Sequence, residues 1–269
     1  MRIHVLQVAY GDGEPVDERR ARVAALVREQ RGADLVILPE LWAPGGFAHR
    51  EWPQRAEPVD GPTVTAIAEA TRDVGAVVHA GSIVERANPG ADAGEQGRGP
   101  WNTSVLLGPD GSVLATYRKI HRFGFGAGEP RLLEAGTQLV TVPLPGHGED
   151  AVAGLATCYD LRFPEMFRAL LDGGARLLLV PAAWPAVRVE HWTLLARARA
   201  LENQCVLVAA NTAGTHADQT MGGRSQVVGP QGEVLIEAGD GEQVLAVDVD
   251  LAEVARVREA FPVLADRRL

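Results

Sequence analysis

Gly154-Leu-Ala-Thr-Cys158-Tyr-Asp-Leu-Arg-Phe-Pro164-Glu165 is the stretch that organises the chain. The apolar run Val152 to Ala156 has the length and composition of a buried strand, and it stops at Thr157-Cys158. Pro164 then suits the first turn of a helix, where its missing N–H costs nothing. That helix is expected over Pro164 to Leu171, with Phe167, Leu170 and Leu171 on its apolar face and Gly173-Gly174 as its stop. Cys158 therefore falls at a strand-to-helix elbow, where the ligand sites of open α/β sheets collect. A thiol there is open to activation by a neighbouring charge or a helix N-terminus. Free cysteine is also among the most buried residue types and commonly acts as a small hydrophobe. The stretch alone leaves both readings open.

Upstream, the pattern repeats. Ile3 to Ala9 reads as a strand, Asp17 to Gln30 as a helix, Leu35 to Leu38 as a buried strand closed by Pro39, Val64 to Val74 as a helix ended by Gly75, and Ala76 to Val84 as a strand. This alternation predicts helices packed on a sheet. Arg86 to Pro100 is rich in glycine, without apolar periodicity, and reads as a mobile surface loop. Thr103–Leu107 and Val113–Tyr117 flank the turn Gly108-Pro-Asp-Gly111. Ile120 to Thr137 has little regular pattern, and its aromatics and glycines favour a functional loop.

Downstream, Arg176 to Val180 is expected to be a strand ending at Pro181, Val187 to Gln204 a helix, Val206 to Ala210 a strand, Gln226 to Ile236 a hairpin, Val244 to Val249 a strand and Leu251 to Ala260 a final helix. Gly108-Pro-Asp-Gly-Ser-Val-Leu114 echoes Gly229-Pro-Gln-Gly-Glu-Val-Leu235. If the echo is real, the chain is two similar α/β halves whose sheets pack face to face.

Composition bounds the function. The chain has 269 residues, 46% hydrophobic and 23% charged, with a net charge of −9. That is ordinary for a globular protein and argues against general nucleic-acid binding. Two cysteines give no disulfide framework, and there is no CxxC or HExxH motif. The N-terminus is too short and polar for a signal peptide, and no unbroken apolar run is long enough for a bilayer. The expectation is a cytoplasmic protein with reduced thiols, no membrane partner and no thiolate metal cluster.

Glu40, Lys119 and Cys158 share one placement, each directly after an expected strand. A carboxylate, an ammonium and a thiol at neighbouring strand ends suit nucleophilic catalysis. A free thiol of pKa about 8.5 is mostly protonated at neutral pH. Glu40 could take its proton if burial raises the carboxyl, and Lys119 could face the oxyanion together with the N–H of Tyr159. Singly, each charged residue reads as well as a solvated side chain or an ion pair.

Leu38-Pro-Glu40-Leu-Trp42, Tyr117-Arg-Lys119-Ile-His121 and Cys158-Tyr-Asp-Leu-Arg-Phe-Pro-Glu165 resemble, in the same order, the three signatures of the nitrilase superfamily of carbon–nitrogen hydrolases. Asn203-Gln204, Asn211 and Gly222-Gly-Arg-Ser225 fit the same pattern, so the resemblance spans nearly the whole chain. It implies one domain over residues 1–269 folded as an α-β-β-α sandwich, a thioester intermediate, no metal and no cofactor. It also implies Glu40 as general base and acid, Lys119 as stabiliser of the tetrahedral intermediate, and Cys158 as nucleophile. The family's further glutamate matches Glu129, with Glu134 the weaker match. A Cys158–His121 dyad is the competing chemistry, and a structural hydrogen bond is the preferred reading of His121.

The residues after Cys158, with Trp184-Pro-Ala186 and His191-Trp192, resemble the branch of omega-amidases and deaminated-glutathione amidases. The implied substrate is the omega-amide of a small dicarboxylic or 2-oxo acid, released as acid and ammonia. N-carbamoyl amino acids, deaminated glutathione and nitriles are the alternatives with the same triad, and a catalytically silent binding protein is the alternative of another class. The substrate carboxylate needs a cation, for which Arg122, Arg131 and Arg188 are the candidates. Trp184 and His191 are candidates for the pocket or the core. Arg162 and Glu165 are expected to pair behind the elbow, with Arg162 a further candidate to bind an acid, and Cys205 is expected to pack in the core. The resemblance also implies a homodimer or larger homo-oligomer, to which the tail from about residue 261 could contribute.

Overall fold

The computed structural model describes residues 1–87 and 99–268. Its first half runs β1 (Arg2–Gln7), α1 (Val16–Arg28), β2 (Leu35–Ile37), α2 (Trp52–Arg55), α3 (Pro62–Val74), β3 (Val77–Glu85), β4 (Trp101–Leu107) and β5 (Val113–Arg118). A one-turn helix, α4 (Glu129–Leu132), stands between the halves. The second half runs β6 (Thr141–Pro143), β7 (Val152–Leu155), α5 (Pro164–Asp172), β8 (Leu177–Ala182), α6 (Val189–Asn203), β9 (Val206–Asn211), the short ribbon β10 (Thr215–His216) and β11 (Gln219–Thr220), β12 (Gln226–Val228), β13 (Val234–Glu237), β14 (Gln243–Asp248) and α7 (Ala252–Ala260). The glycine-rich loop expected between residues 86 and 100 falls mostly on residues 88–98, outside the described residues.

Local chemistry explains the helices. α1 carries Asp17 and Glu18 in its first turn and Arg28 in its last, the arrangement that complements a helix dipole. α3 starts on Pro62 and stops at Gly75, whose φ of 71° lets its N–H reach the Thr71 carbonyl. α5 starts on Pro164 and buries Met166, Phe167 and Leu170.

The strands form two six-stranded sheets, ordered β14-β1-β2-β3-β4-β5 and β13-β12-β9-β8-β7-β6. In the first, β1, β2 and β3 are parallel and β4 and β5 follow antiparallel. In the second, β7, β8 and β9 are parallel and β12 and β13 follow antiparallel. The two halves thus repeat one strand plan, and the echoed Gly-Pro-x-Gly turns join the equivalent hairpins β4–β5 and β12–β13. The edges are equivalent too: β14 lies antiparallel on β1, and β6 antiparallel on β7.

Alternation along the strands places the layers. Ile3, Val5, Leu35 and Ile37 face inward, where they join Leu155, Leu177, Leu179, Val206 and Val208 of the second sheet in one core. Leu6, Val36 and Val78 face outward and pack with Val23 and Val27 of α1 and Ile67 of α3. Helix α5 covers the other sheet so closely that a Cβ on Gly154 would stand 3.3 Å from the Leu170 Cβ. The result is the expected α-β-β-α sandwich.

The differences from the sequence reading have local causes. β8 runs through Pro181 to Ala182. β7 has ended by then, its last rung being Leu155 on Leu179, so no partner on that side needs the N–H that proline lacks. Edge strand β6 was not expected, being three residues long and only half-buried. A 3-10 turn, Cys158–Arg162, precedes α5, and another, Ala186–Arg188, precedes α6.

Candidate active site

The carboxyl ends of β2, β5, β7 and β8 converge at one end of the sandwich. Beyond β2, the Leu38 N–H continues the ladder to the His79 carbonyl, and Pro39 then turns the chain against β3. Gly81 makes room, because a Cβ there would collide with the Pro39 carbonyl oxygen. The Leu41 N–H is held by the Ser82 hydroxyl at 3.1 Å and the Trp42 indole by the Ala80 carbonyl at 2.9 Å. Glu40 is thereby fixed inward, 3% exposed.

Lys119 leaves β5 with its N–H on the Asn102 carbonyl, 2.9 Å away. Its ammonium, 2% exposed, donates to Glu40 Oε1 at 2.7 Å and Glu129 Oε1 at 3.0 Å. Glu129 heads α4, and its Oε2 accepts the Phe123 N–H at 2.6 Å. Glu40 Oε2 accepts the Ala183 N–H, 2.9 Å away beyond β8. Burial works against a charged lysine here, but Glu129 and Glu40 outweigh it and hold the ammonium well above its ordinary pKa. Burial pushes the Glu129 carboxyl up while Lys119 opposes.

Cys158 occupies the first position of the 3-10 turn with φ of 49°, a left-handed conformation that is strained for a residue with a Cβ. Asp160, fully buried, braces the elbow. It accepts from the Thr157 N–H at 2.8 Å, the Tyr117 hydroxyl at 2.7 Å and the His121 N–H at 3.0 Å. The same carboxylate thus ties the cysteine loop to the lysine loop. Burial and the Glu40 charge push the Cys158 thiol well above its usual range, with Lys119 and the Ala183 N–H opposing. The thiol thus stands beside a carboxyl group placed to take its proton. The first N–H groups of the turn, Tyr159 among them, point away from the helical ladder and are suited to an oxyanion.

The pocket above Cys158 is walled by Phe47, Phe123, Tyr159 and Trp184, with His49, Arg162 and Arg188 adding polarity. The structure brings Glu40, Lys119, Glu129, Cys158, Tyr159, Trp184 and Arg188 together here and leaves other candidates out. Trp184 is buried and also lines the pocket, its indole N–H on the Arg188 carbonyl at 2.8 Å. His191 is exposed on α6 outside the pocket lining, where its Nδ1 accepts from Arg162 at 3.2 Å. Arg122 spends its guanidinium on the Leu133 carbonyl at 2.9 Å, and Arg131 is exposed at the end of α4. Neither lines the pocket. Arg162 lies 4.8 Å from the Trp184 ring and turns into the pocket instead of pairing with Glu165. His121 is bound through Nδ1 to Asp160 at 2.7 Å and stacked on Phe163, which leaves no Cys158–His121 dyad. Glu134 accepts the Gly99 N–H rather than joining the cluster. Cys205 is wholly buried just before β9.

Asn102 was not anticipated. Its Nδ2 donates to Glu40 Oε1 at 2.7 Å and Glu129 Oε1 at 2.8 Å. The available signal was its place opposite Lys119 in the β4–β5 hairpin. Among the described residues no His, Cys, Asp and Glu cluster is arranged to hold a metal, and no helix is long and apolar enough to cross a membrane.

The family model described as carbon-nitrogen hydrolase matches residues 7–259. The chain is 41% identical over 266 residues to a 2-oxoglutaramate amidase of Paenarthrobacter nicotinovorans, covering 99% of this chain and 89% of that one. It is 34% identical to an omega-amidase of Mus musculus, covering 92% and 88%. Among solved structures, a nitrilase-superfamily protein of Saccharomyces cerevisiae superposes with a TM-score of 0.85 at 26% identity, over 100% of this chain and 97% of that one. An amidase of Nesterenkonia superposes with a TM-score of 0.81 at 28% identity, over 98% and 96%. That structure is a glutamate-to-glutamine variant with the acetamide moiety of fluoroacetamide added covalently to its active-site cysteine.

Proposed function

The chain belongs to the carbon–nitrogen hydrolase family, and from that premise we propose that Cys158, Glu40 and Lys119 hydrolyse the omega-amide of a small dicarboxylic or 2-oxo acid. The carrying observation is the buried Glu40 carboxylate, held by Lys119 and the Ala183 N–H and close enough to Cys158 to raise its thiol. Cys158 Sγ attacks the amide carbon as its proton passes to Glu40. The oxyanion forms beside the Lys119 ammonium and the Tyr159 N–H. Collapse breaks the C–N bond, Glu40 returns the proton to the departing nitrogen, and ammonia leaves a thioester. Glu40 then takes a proton from water, whose oxygen attacks the thioester; collapse of the second tetrahedral intermediate breaks the C–S bond and releases the acid, and Glu40 returns the proton to the departing Cys158 sulfur. Glu129 orients Lys119 throughout.

The substrate class follows from the pocket mouth. Arg188 lines it with its guanidinium 5.4 Å from the Phe123 ring and no acidic partner within ion-pair distance among the described residues. Arg162 lies close by, and burial together with the nearby Arg188 lowers its pKa while Tyr159 and Cys158 oppose. Two cations that crowd each other suit a substrate carboxylate, and the relatives named for 2-oxoglutaramate fit that chemistry. Ammonia release from 2-oxoglutaramate, succinamate and a neutral amide of equal length tests this. Arg188→Gln is expected to raise KM for the acid amides about tenfold to a hundredfold, the range for losing a hydrogen bond to a charged group, and to leave the neutral amide unchanged. Equal effects on all three contradict the assignment.

The enzyme is further proposed to work as a homodimer. Leu194 and Leu201 are 65% and 54% exposed seven residues apart on α6, and Val187, in the 3-10 turn just before it and beside Arg188, is 75% exposed. Sedimentation should give a dimer that Leu194→Glu splits into monomers. A monomeric parent protein contradicts the proposal.

A further inference from the structure

The cluster behind the nucleophile carries an unusual charge count. Glu40, Glu129 and Lys119 are all at most 4% exposed. Two carboxyl groups face one ammonium. Burial first, and Glu40 besides, draw a proton toward Glu129, so the cluster can relieve its excess charge by protonation. A protonated cluster would leave Glu40 less able to accept from Cys158.

Asn102 answers that need without adding charge. Its two amide hydrogens go one to each carboxylate, to the same Oε1 atoms that take the lysine. Its Oδ1 is buried and without a partner among the described residues. The amide therefore gives up an acceptor bond to keep both donors on the carboxylates. The opposite orientation would set an oxygen against two anions. Its main chain belongs to the same device, accepting the Lys119 N–H at 2.9 Å. Glu40 Oε1 consequently has two donors, while Oε2 has the Ala183 N–H, which also acts on Cys158.

We propose that Asn102 is a positioning residue of the amidase reaction: its amide holds Glu40 Oε1 and Glu129 Oε1 around one lysine and leaves Glu40 Oε2 as the oxygen that receives the Cys158 proton. This rests on the amidase reading above. It assigns Asn102 no contact with substrate, so its loss acts on kcat and on the pH profile rather than on KM. The other titratable groups sensing the pair are the phenols of Tyr10, which responds to Glu40, and Tyr117, which responds to Glu129. Neither is bonded to the two carboxylates.

The test compares the parent protein with Asn102→Ala, Asn102→Ser and Asn102→Asp, each checked for folding by circular dichroism. Rates are measured from pH 5 to 9 with the best amide of the panel. Asn102→Ala is expected to lose about tenfold to a hundredfold in kcat, the range for hydrogen bonds to charged groups, with KM little changed. Its acid limb should move to higher pH, because Glu129, already raised by burial, loses the amide donor that lowers it. Asn102→Asp is nearly isosteric, yet should be slower at neutral pH than Asn102→Ala, since it adds a third carboxylate. Asn102→Ser keeps one donor and should fall between parent and alanine. If the alanine variant does not fold, the order parent, serine, aspartate decides. An acid limb that stays in place, or an aspartate variant as fast as the alanine or serine one, overturns the inference while leaving the amidase reading intact. A parent protein inactive on every amide overturns the reading itself.

Discussion

Cys158→Ala is expected to lower amide hydrolysis by about 10⁴-fold or more, in the range seen when a nucleophile that works as a unit with its base is removed. The argument is chemical. Without Sγ there is no thioester, and water must attack an unactivated amide in a pocket whose base is positioned for a thiol. The fold should persist. Alanine takes the same left-handed φ at no added penalty, and the elbow is braced by Asp160 through Thr157, Tyr117 and His121 rather than by the thiol. Cys158→Ser should stay close to the alanine variant, because burial and Glu40 already push the far more acidic thiol upward. Ammonia release, with melting temperature as the control for folding, checks both. An alanine variant with near-parental rate would mean that the nucleophile lies elsewhere.

Lys119→Ala is expected to cost both rate and stability. The rate should fall by at least about 10²–10³, the usual loss when a donor to the oxyanion is removed. Stability should fall because Glu40 and Glu129 keep their burial and lose their cation, and breaking one side of a buried ion pair costs about 3–5 kcal/mol. The pH dependence has a definite sign. Burial already raises Glu129, and Lys119 is what opposes it. Without the lysine, the Glu129 carboxyl lies further above its unfolded value. The destabilisation is then fully present above the folded pKa and is relieved as pH falls through it. The melting-temperature gap to the parent should be about 10 °C at pH 8, given about 2–4 °C per kcal/mol at this chain length, and should narrow toward pH 5. A gap that widens on acidification would contradict the charge assignment.

How much the sequence told of this can be traced residue by residue. The strands ending before Glu40, Lys119 and Cys158 were legible because buried parallel strands read as apolar runs, and Pro39 and Pro164 mark the turns beyond two of them. The repeat of Gly-Pro-x-Gly turns gave the two-half plan, since each closes an equivalent hairpin. What escaped were features fixed by tertiary contact. Three arginines looked alike as carboxylate binders, but the Leu133 carbonyl claims Arg122, α4 carries Arg131 outward, and only the turn before α6 brings Arg188 to the mouth. Arg162 was expected to pair with Glu165 behind the elbow. The 3-10 turn at 158–162 instead rotates it toward Trp184. Asn102 escaped because an amide in a strand has no signature until the hairpin sets it beside two carboxylates.

The proposed thioester on Cys158 is tested most directly by partitioning with hydroxylamine. Succinamate and the monomethyl ester of succinate would deliver the same acyl group with different leaving groups. Each is incubated with enzyme at fixed hydroxylamine, with Cys158→Ala as the blank, and hydroxamate and succinate are quantified. A common acyl-enzyme divides between water and hydroxylamine without regard to what has left, so the ratio of hydroxamate to acid should be the same for both. A ratio that differs between amide and ester, or hydroxamate formed equally by Cys158→Ala, would contradict a covalent intermediate on this cysteine.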